Sequence, residues 1–258
     1  MYKRIIAAFI IAIFVGEVSA QSIYNTAFHH FTTDPMANIY GWQGSQLNKY
    51  SSEGKFLQTF GIPSYGNIAN VDADNAVKTL VFYQEAGKLV LLNNQLAPIG
   101  NELDLFEHDL TSITLAALFG NNQIVLFDEP NQDLYITDLN LNVVTKTHCS
   151  FPEEIAPFFL QSESDHCIML VDSLKGIFFF DRFGTFDRRL PIPGILSAQL
   201  YGDNLIYLKD NTLYQYNRKK LEQTHTSPSF VTNSKEIRIA GTWRFILDKD
   251  GTLHTIQQ

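Results

Sequence analysis

Carboxylates are the side chains whose spacing most invites chemistry in this sequence. Glu85, Asp128, Glu129, Asp172, Asp210, Asp248 and Asp250 stand at or just after the ends of short apolar runs. Brought to one face, such a set could hold a cation or a basic partner. Asp248, Asp250 and Gly251 have the alternation of a small calcium loop, and Asp72 and Asp74 repeat it. Both stretches lack the later oxygen ligands that calcium takes, about six to eight in all. Aspartate also ends strands by hydrogen bonding its own turn, which accounts for every copy separately. The turn reading is the one expected here, and no cofactor is expected; calcium is the one ion the spacing suggests.

The other reactive types are scattered. His29 and His30 are adjacent, so on a strand they face opposite ways. His108, His148, His166, His225 and His254 share no spacing. There is no Gly-x-Ser-x-Gly elbow and no phosphate-binding glycine loop. Cys149 and Cys167 are the two cysteines. No catalytic residue and no metal ligand is expected. With a net charge of −8 and a basic cluster no longer than Arg218–Lys219–Lys220, the chain repels nucleic acid, which is excluded as a partner.

The elements that carry these residues are short and β-rich. Runs ending in a polar turn residue recur at 47–51, 89–93, 134–138, 177–181, 213–217 and 253–257, and their ends are 36 to 45 residues apart. Each is preceded by a run closing on an acidic or polar residue and followed by a tight turn and another strand, with Gly54 or Gly184 supplying the turn. With one more strand in front, each unit is a four-stranded antiparallel meander, labelled A to D from the inside outward. One meander cannot bury both of its faces, whereas six arranged radially can. The fold class is therefore all-β, a six-bladed β-propeller, and the 20 Phe and 11 Tyr suit the wedges between blades. The third unit also admits an amphipathic helix within 102–119; the repeat favours a loop and a strand A near Ile113.

Residues 1–20 read as a cleaved signal peptide. Lys3 and Arg4 precede an apolar run of eleven residues, and a small-residue site ends at Ala20. The run is shorter than the ~20 residues that span a bilayer, and no later stretch is longer. The expectation is one propeller domain over 21–258, exported to a periplasm or outside the cell, with no transmembrane segment. Strand C of the sixth unit ends at the chain terminus, so residues 22–24 are expected to supply its outer strand. In this register Cys149 and Cys167 lie near opposite faces, and two separate thiols are expected rather than a disulfide.

The inter-repeat loops Phe60-Gly61-Ile62-Pro63, Phe151-Pro152-Glu153 and Pro191-Ile192-Pro193-Gly194, with Val171-Asp172, Asp181 and Gly184 in the repeat body, resemble the NHL and YncE-like (YVTN-type) propeller repeats. The resemblance spans 26–258. It implies a fold shared by many functions. An enzyme of this kind would gather metal ligands on the central channel, where strands A offer Asn70, Asp72, Phe158, Gln199 and Arg238. These do not make a metal-binding set.

In a propeller the B–C and D–A loops share one face. Trp42, assigned to the first B–C loop, joins Tyr65, Phe106, Phe151 and Phe230 there, among prolines and carboxylates. These aromatics either form a binding patch or cap the core. The expected function is a non-enzymatic scaffold of the cell envelope that binds a protein or a small-molecule ligand on this face. The alternative is a metal-dependent hydrolase or lyase with its site in the channel.

Overall fold

The computed structural model describes residues 21–23, 28–163, 166–226 and 233–257. Residues 1–20, expected to be a signal peptide, and Phe230 lie outside these. Strand β1 (Gln21–Ile23) opens the described chain. Blade one is β2 (His30–Thr33), β3 (Ile39–Gln43), β4 (Gln46–Tyr50) and β5 (Phe56–Gly61). Blade two is β6 (Asn70–Asp72), β7 (Thr79–Tyr83), β8 (Lys88–Leu92) and β9 (Leu103–Asp104). Blade three is β10 (Ile113–Phe119), β11 (Gln123–Asp128), β12 (Asp133–Asp138) and β13 (Val143–His148). Blade four is β14 (Phe159–Glu163), β15 (Cys167–Asp172), β16 (Gly176–Asp181) and β17 (Phe186–Leu190). Blade five is β18 (Ile195–Tyr201), β19 (Asn204–Lys209), β20 (Thr212–Asn217) and β21 (Glu222–Thr226). Blade six is β22 (Ser234–Ala240), β23 (Trp243–Asp248) and β24 (Leu253–Gln257), with β1 as its outer strand.

Every sheet is antiparallel and four-stranded, so the chain is a six-bladed β-propeller. The third unit has no α-helix: a single 3-10 turn over Phe106–His108 precedes β10. Ring closure pairs Gln21 with Thr255 and Ile23 with Leu253, one residue earlier than the 22–24 expected. Without β1 the edge of β24 would stand unpaired. Shortening the chain through Ile23 is therefore expected to cost about 2 kcal/mol, or roughly 4–8 °C of melting temperature. A thermal melt unchanged by that deletion would show that β1 does not close the ring.

Period-two alternation places consecutive residues in different wedges. Phe178 and Phe180 pack between blades three and four, with Phe127, Ile136 and Leu170. Phe179 packs between blades four and five, with Val171, Leu205 and Tyr207. All three phenylalanines are about 1% exposed. The same split puts Tyr40 and Trp42 in the wedge between blades one and two, and Ile39 in the wedge between blades six and one. The two thiols follow this partition. Cys149 belongs to the wedge between blades three and four, Cys167 packs on the next one, and both are free. Burial pushes the Cys149 thiol up to about 12 and the Cys167 thiol up to about 11.

Candidate functional site

Strand A is the inner edge of every blade, and its backbone groups on the channel side have no fifth strand to meet. Side chains of the neighbouring blade take that place. Asn70 donates through Nδ2 to the Ala116 carbonyl (2.7 Å) and accepts the Ala116 N–H on Oδ1 (3.3 Å). Asp72 accepts the Leu118 N–H on Oδ2 (2.7 Å), and the Ser162 hydroxyl donates to the Leu118 carbonyl. Gln161 accepts the Leu200 N–H (2.7 Å) and Ser197 accepts the Ile237 N–H (3.1 Å). Gln199 grips Ile239 twice, accepting its N–H at 2.7 Å and donating to its carbonyl at 2.9 Å. Glu236 closes the circle by accepting the Phe31 N–H at 3.1 Å. Blades one and two are joined from strand C instead, where the buried Lys49 ammonium donates to the Asn94 carbonyl (2.8 Å) and pairs with Asp34 (3.6 Å).

Sequence reasoning tested Asn70, Asp72, Gln199 and Arg238 only as metal ligands and missed this belt. The signal was present. Asn70 and Asp72, Ser197 and Gln199, and Glu236 and Arg238 are each two residues apart, and so lie on one face of a strand. Among the described residues no group of three or more His, Cys, Asp or Glu is placed to hold a metal ion.

Two cavities lie at opposite ends of strands A. At the C-terminal ends of strands A lies a cavity of about 570 Å³, lined by Asp34, Asp72, Asp74, Gln161, Glu163 and Gln199, among others. Asp74 is an exposed residue in the lining of this cavity. Loss of hydration, with the neighbouring Asp72 charge next, raises its carboxyl to about 7; the Gln161 hydrogen bond (2.6 Å) and the Arg238 charge oppose that rise. Burial also raises Asp72, against the bonds it accepts from the Asp74 and Leu118 N–H groups. Between about pH 4 and 7 the folded chain keeps a proton on Asp74 that the unfolded chain releases. Stability therefore falls as pH rises through that window, and the penalty is complete above it. Asp74→Asn removes the charge and leaves an amide oxygen to accept from Gln161. Its melting temperature is expected to exceed the parent's at pH 8 and to match it below pH 4; equal melting curves at both would refute the assignment.

At the N-terminal ends of strands A, on the D–A and B–C face, a second cavity of about 310 Å³ is more apolar. Phe31, Leu115, Phe158, Phe159 and Leu196 form much of its wall. Phe158 and Leu196 are 44% and 40% exposed. Glu236 is bonded to His30 Nδ1 (2.5 Å), and His30 lies beside Trp42 with ring centroids 5.7 Å apart. Arg238 is buried at the base, its Cζ 4.7 Å from the Phe159 ring centre, and loss of hydration lowers its pKa.

Four of the aromatics nominated from sequence, Trp42, Tyr65, Phe106 and Phe151, lie among the described residues. Trp42 lies inside β3 rather than in the B–C loop, because it continues the inward alternation of Tyr40; it is 7% exposed and lines the second cavity. Tyr65 joins the same wedge, edge-on to Tyr83 at 5.6 Å, and donates to Glu102 (3.1 Å). Phe106 is 47% exposed and lies over Gly87, whose missing side chain leaves room for the ring. Phe151 caps the wedge between blades three and four, 4.8 Å from Phe178 and 5.0 Å from Phe186. Trp42 and Tyr65 are thus brought together, while Phe106 and Phe151 stand over other parts of the ring.

Three of the acidic strand ends, Asp128, Asp172 and Asp250, act as turn residues. Asp128 accepts the Asn131 N–H (3.0 Å) and Asp172 those of Leu174 (2.8 Å) and Lys175 (2.9 Å). Asp250 accepts from Thr252 (3.0 Å), and Asp248 from His254 Nε2 (2.8 Å).

No protein-family model matches the sequence, and no curated protein matches it. Solved structures do. The virginiamycin B lyase of Staphylococcus aureus superposes with a TM-score of 0.64 at 10% identity, over 94% of this chain and 99% of that one. The Neurospora crassa Pan2 WD40 domain gives 0.60 at 12%, over 88% and 74%. BBS1N, solved in complex with ARL6DN, gives 0.58 at 16%, over 89% and 77%. The likeness is one of fold. Enzymes and binding domains share this scaffold, so function must be argued from the site. Among the described residues no helix is long and apolar enough to cross a membrane.

Proposed function

We propose that the chain is an exported propeller of the NHL/YncE-like type that works as a non-enzymatic binding scaffold of the cell envelope. Its ligand or protein partner meets the D–A and B–C face, at the mouth of the channel. One observation carries the reading: most of the polar side chains of strands A are engaged by the backbone of the next blade, whereas this mouth keeps an open, largely apolar cavity. A cavity with apolar walls and few polar groups is the usual make-up of a ligand site. Trp42 lines this cavity, and Tyr65, Phe106 and Phe151, carried by D–A loops of the same face, extend the contact surface for a partner. No cofactor enters the proposal.

Cross-linking in the native envelope, followed by peptide mapping, tests it. Repeated recovery of one partner through peptides around Trp42 and Phe151 is expected, and cross-links spread evenly over the surface would count against it. A channel enzyme is the second reading. Asp74 favours it, since a carboxyl poised near 7 in a cavity of about 570 Å³ has the protonation balance of a general acid or base. Stoichiometric calcium or zinc in the purified protein, lost on chelation together with a hydrolytic or lyase activity, would favour that reading over the scaffold.

A further inference from the structure

Arg238 has more hydrogen-bonding capacity than its surroundings use. Its Nη1 donates to the Ser197 hydroxyl (2.9 Å), the Ile237 carbonyl (2.8 Å) and the Ala198 carbonyl (3.4 Å). The guanidinium plane is further held against Phe159. Nε and Nη2 have no acceptor among the described residues, although the residue is only 7% exposed. Neither nitrogen is sealed from solvent, and Arg238 lines the cavity of about 310 Å³. Nε and Nη2 form one edge of the guanidinium, with parallel N–H bonds that match the two oxygens of a carboxylate. That edge is held by the packing of the rest of the side chain and is set in place before any ligand arrives.

The surroundings narrow the class of anion. Glu236 is two residues back along the strand, on the same face, and its oxygens are taken by the Phe31 N–H and by His30. Lys235 is the second cation of the cavity wall. Two cations offset by the Glu236 carboxylate leave one positive charge, which suits a single negative charge better than a phosphate dianion. Phe158, Phe159, Leu196 and Leu115 offer a wall for a flat apolar body. We propose that this cavity binds a small organic monocarboxylate with an aromatic or similarly flat apolar body, its carboxylate seated on Nε and Nη2 of Arg238. The inference rests on the binding-scaffold reading and assigns its mouth a ligand class.

The test uses the mature protein with 2-naphthoate and 3-phenylpropionate as probes, and with 2-naphthamide and inorganic phosphate as comparators. Binding is read by calorimetry and by the fluorescence of Trp42 in the cavity wall. The carboxylates are expected to bind at least about tenfold more tightly than the neutral amide, because the amide cannot satisfy both N–H groups. Arg238→Met should erase that preference, with a thermal melt to confirm folding. Leu196→Glu adds a like charge at an exposed rim position, where folding is not at stake, and should weaken the carboxylates about tenfold more than it weakens the amide. Equal binding of naphthoate and naphthamide, tighter binding of phosphate, a preference that survives Arg238→Met in the folded variant, or no saturation by either carboxylate would each overturn the proposal. If arylcarboxylates fail while cross-links still mark this face, the ligand class falls and the scaffold stands; if both fail, the scaffold reading falls with it.

Discussion

Gly176→Ala is expected to cost on the order of 4 kcal/mol or more and to yield little soluble protein, because two penalties coincide at that residue. Gly176 opens β16 with φ +102°, a conformation that L side chains rarely adopt. A Cβ there would also lie 2.1 Å from the Leu190 carbonyl oxygen and 2.6 Å from the Ile192 amide nitrogen. Both obstacles are backbone, so no rotamer change relieves them; the end of β17 and the loop to blade five would have to move. That loop is pinned by the Gly194 N–H on the Ser173 carbonyl at 2.6 Å. The expected loss is a large share of the roughly 5–15 kcal/mol that keeps a domain folded. Gly202→Ala is the control. Its φ is also positive (+55°), but no atom lies within 4 Å of the added carbon, and about 1 kcal/mol is expected. Urea midpoints of the two variants measure the difference. Similar midpoints would show that the β17 loop yields easily.

The blades were legible in the sequence because their causes are local. Asp138 and Asp181, chosen as strand ends, accept the N–H groups of their own turns at 2.8–3.0 Å, within four residues. Phe178, Phe179 and Phe180 alternate between wedges as period two requires. The outer strand of blade six followed from counting strands against the repeat. What escaped was set by residues far apart in the chain. Gln199 meets Ile239 forty positions later, and Asn70 meets Ala116 forty-six later. No local pattern separates a glutamine that binds a neighbouring backbone from one that faces water. Arg238 was noticed only as a poor metal ligand. Its free edge depends on three acceptors occupying Nη1, and two of them belong to blade five. Trp42 was misplaced by one strand boundary. A tryptophan just before Gln43 and Gly44 looks like a turn residue until its alternation with Tyr40 is set against the wedge it fills.

The belt of strands A makes the last prediction. Gln199 is 6% exposed, and its amide pairs with Ile239 as a neighbouring peptide unit would. Gln199→Leu keeps the volume but strips a partner from both an N–H and a carbonyl, each worth about 1–3 kcal/mol when it is left unpaired. A loss of roughly 2–4 kcal/mol is expected, with blades five and six separating more readily than the rest. Gln199→Glu tests whether polarity or only bulk is needed. Ionised, the glutamate accepts from the Ile239 N–H but turns a charge toward its carbonyl, so the folded state favours protonation. Protonated, it can both accept and donate, as the amide does. Its deficit should therefore be near zero below the carboxyl's ordinary range and should grow as pH rises through the raised folded-state value. Melting curves of both variants from pH 4 to 8 decide it. If the belt carries blade–blade stability, the leucine variant stays low throughout, while the glutamate variant recovers on acidification. Two variants that melt together at every pH would mean that Gln199 only fills space.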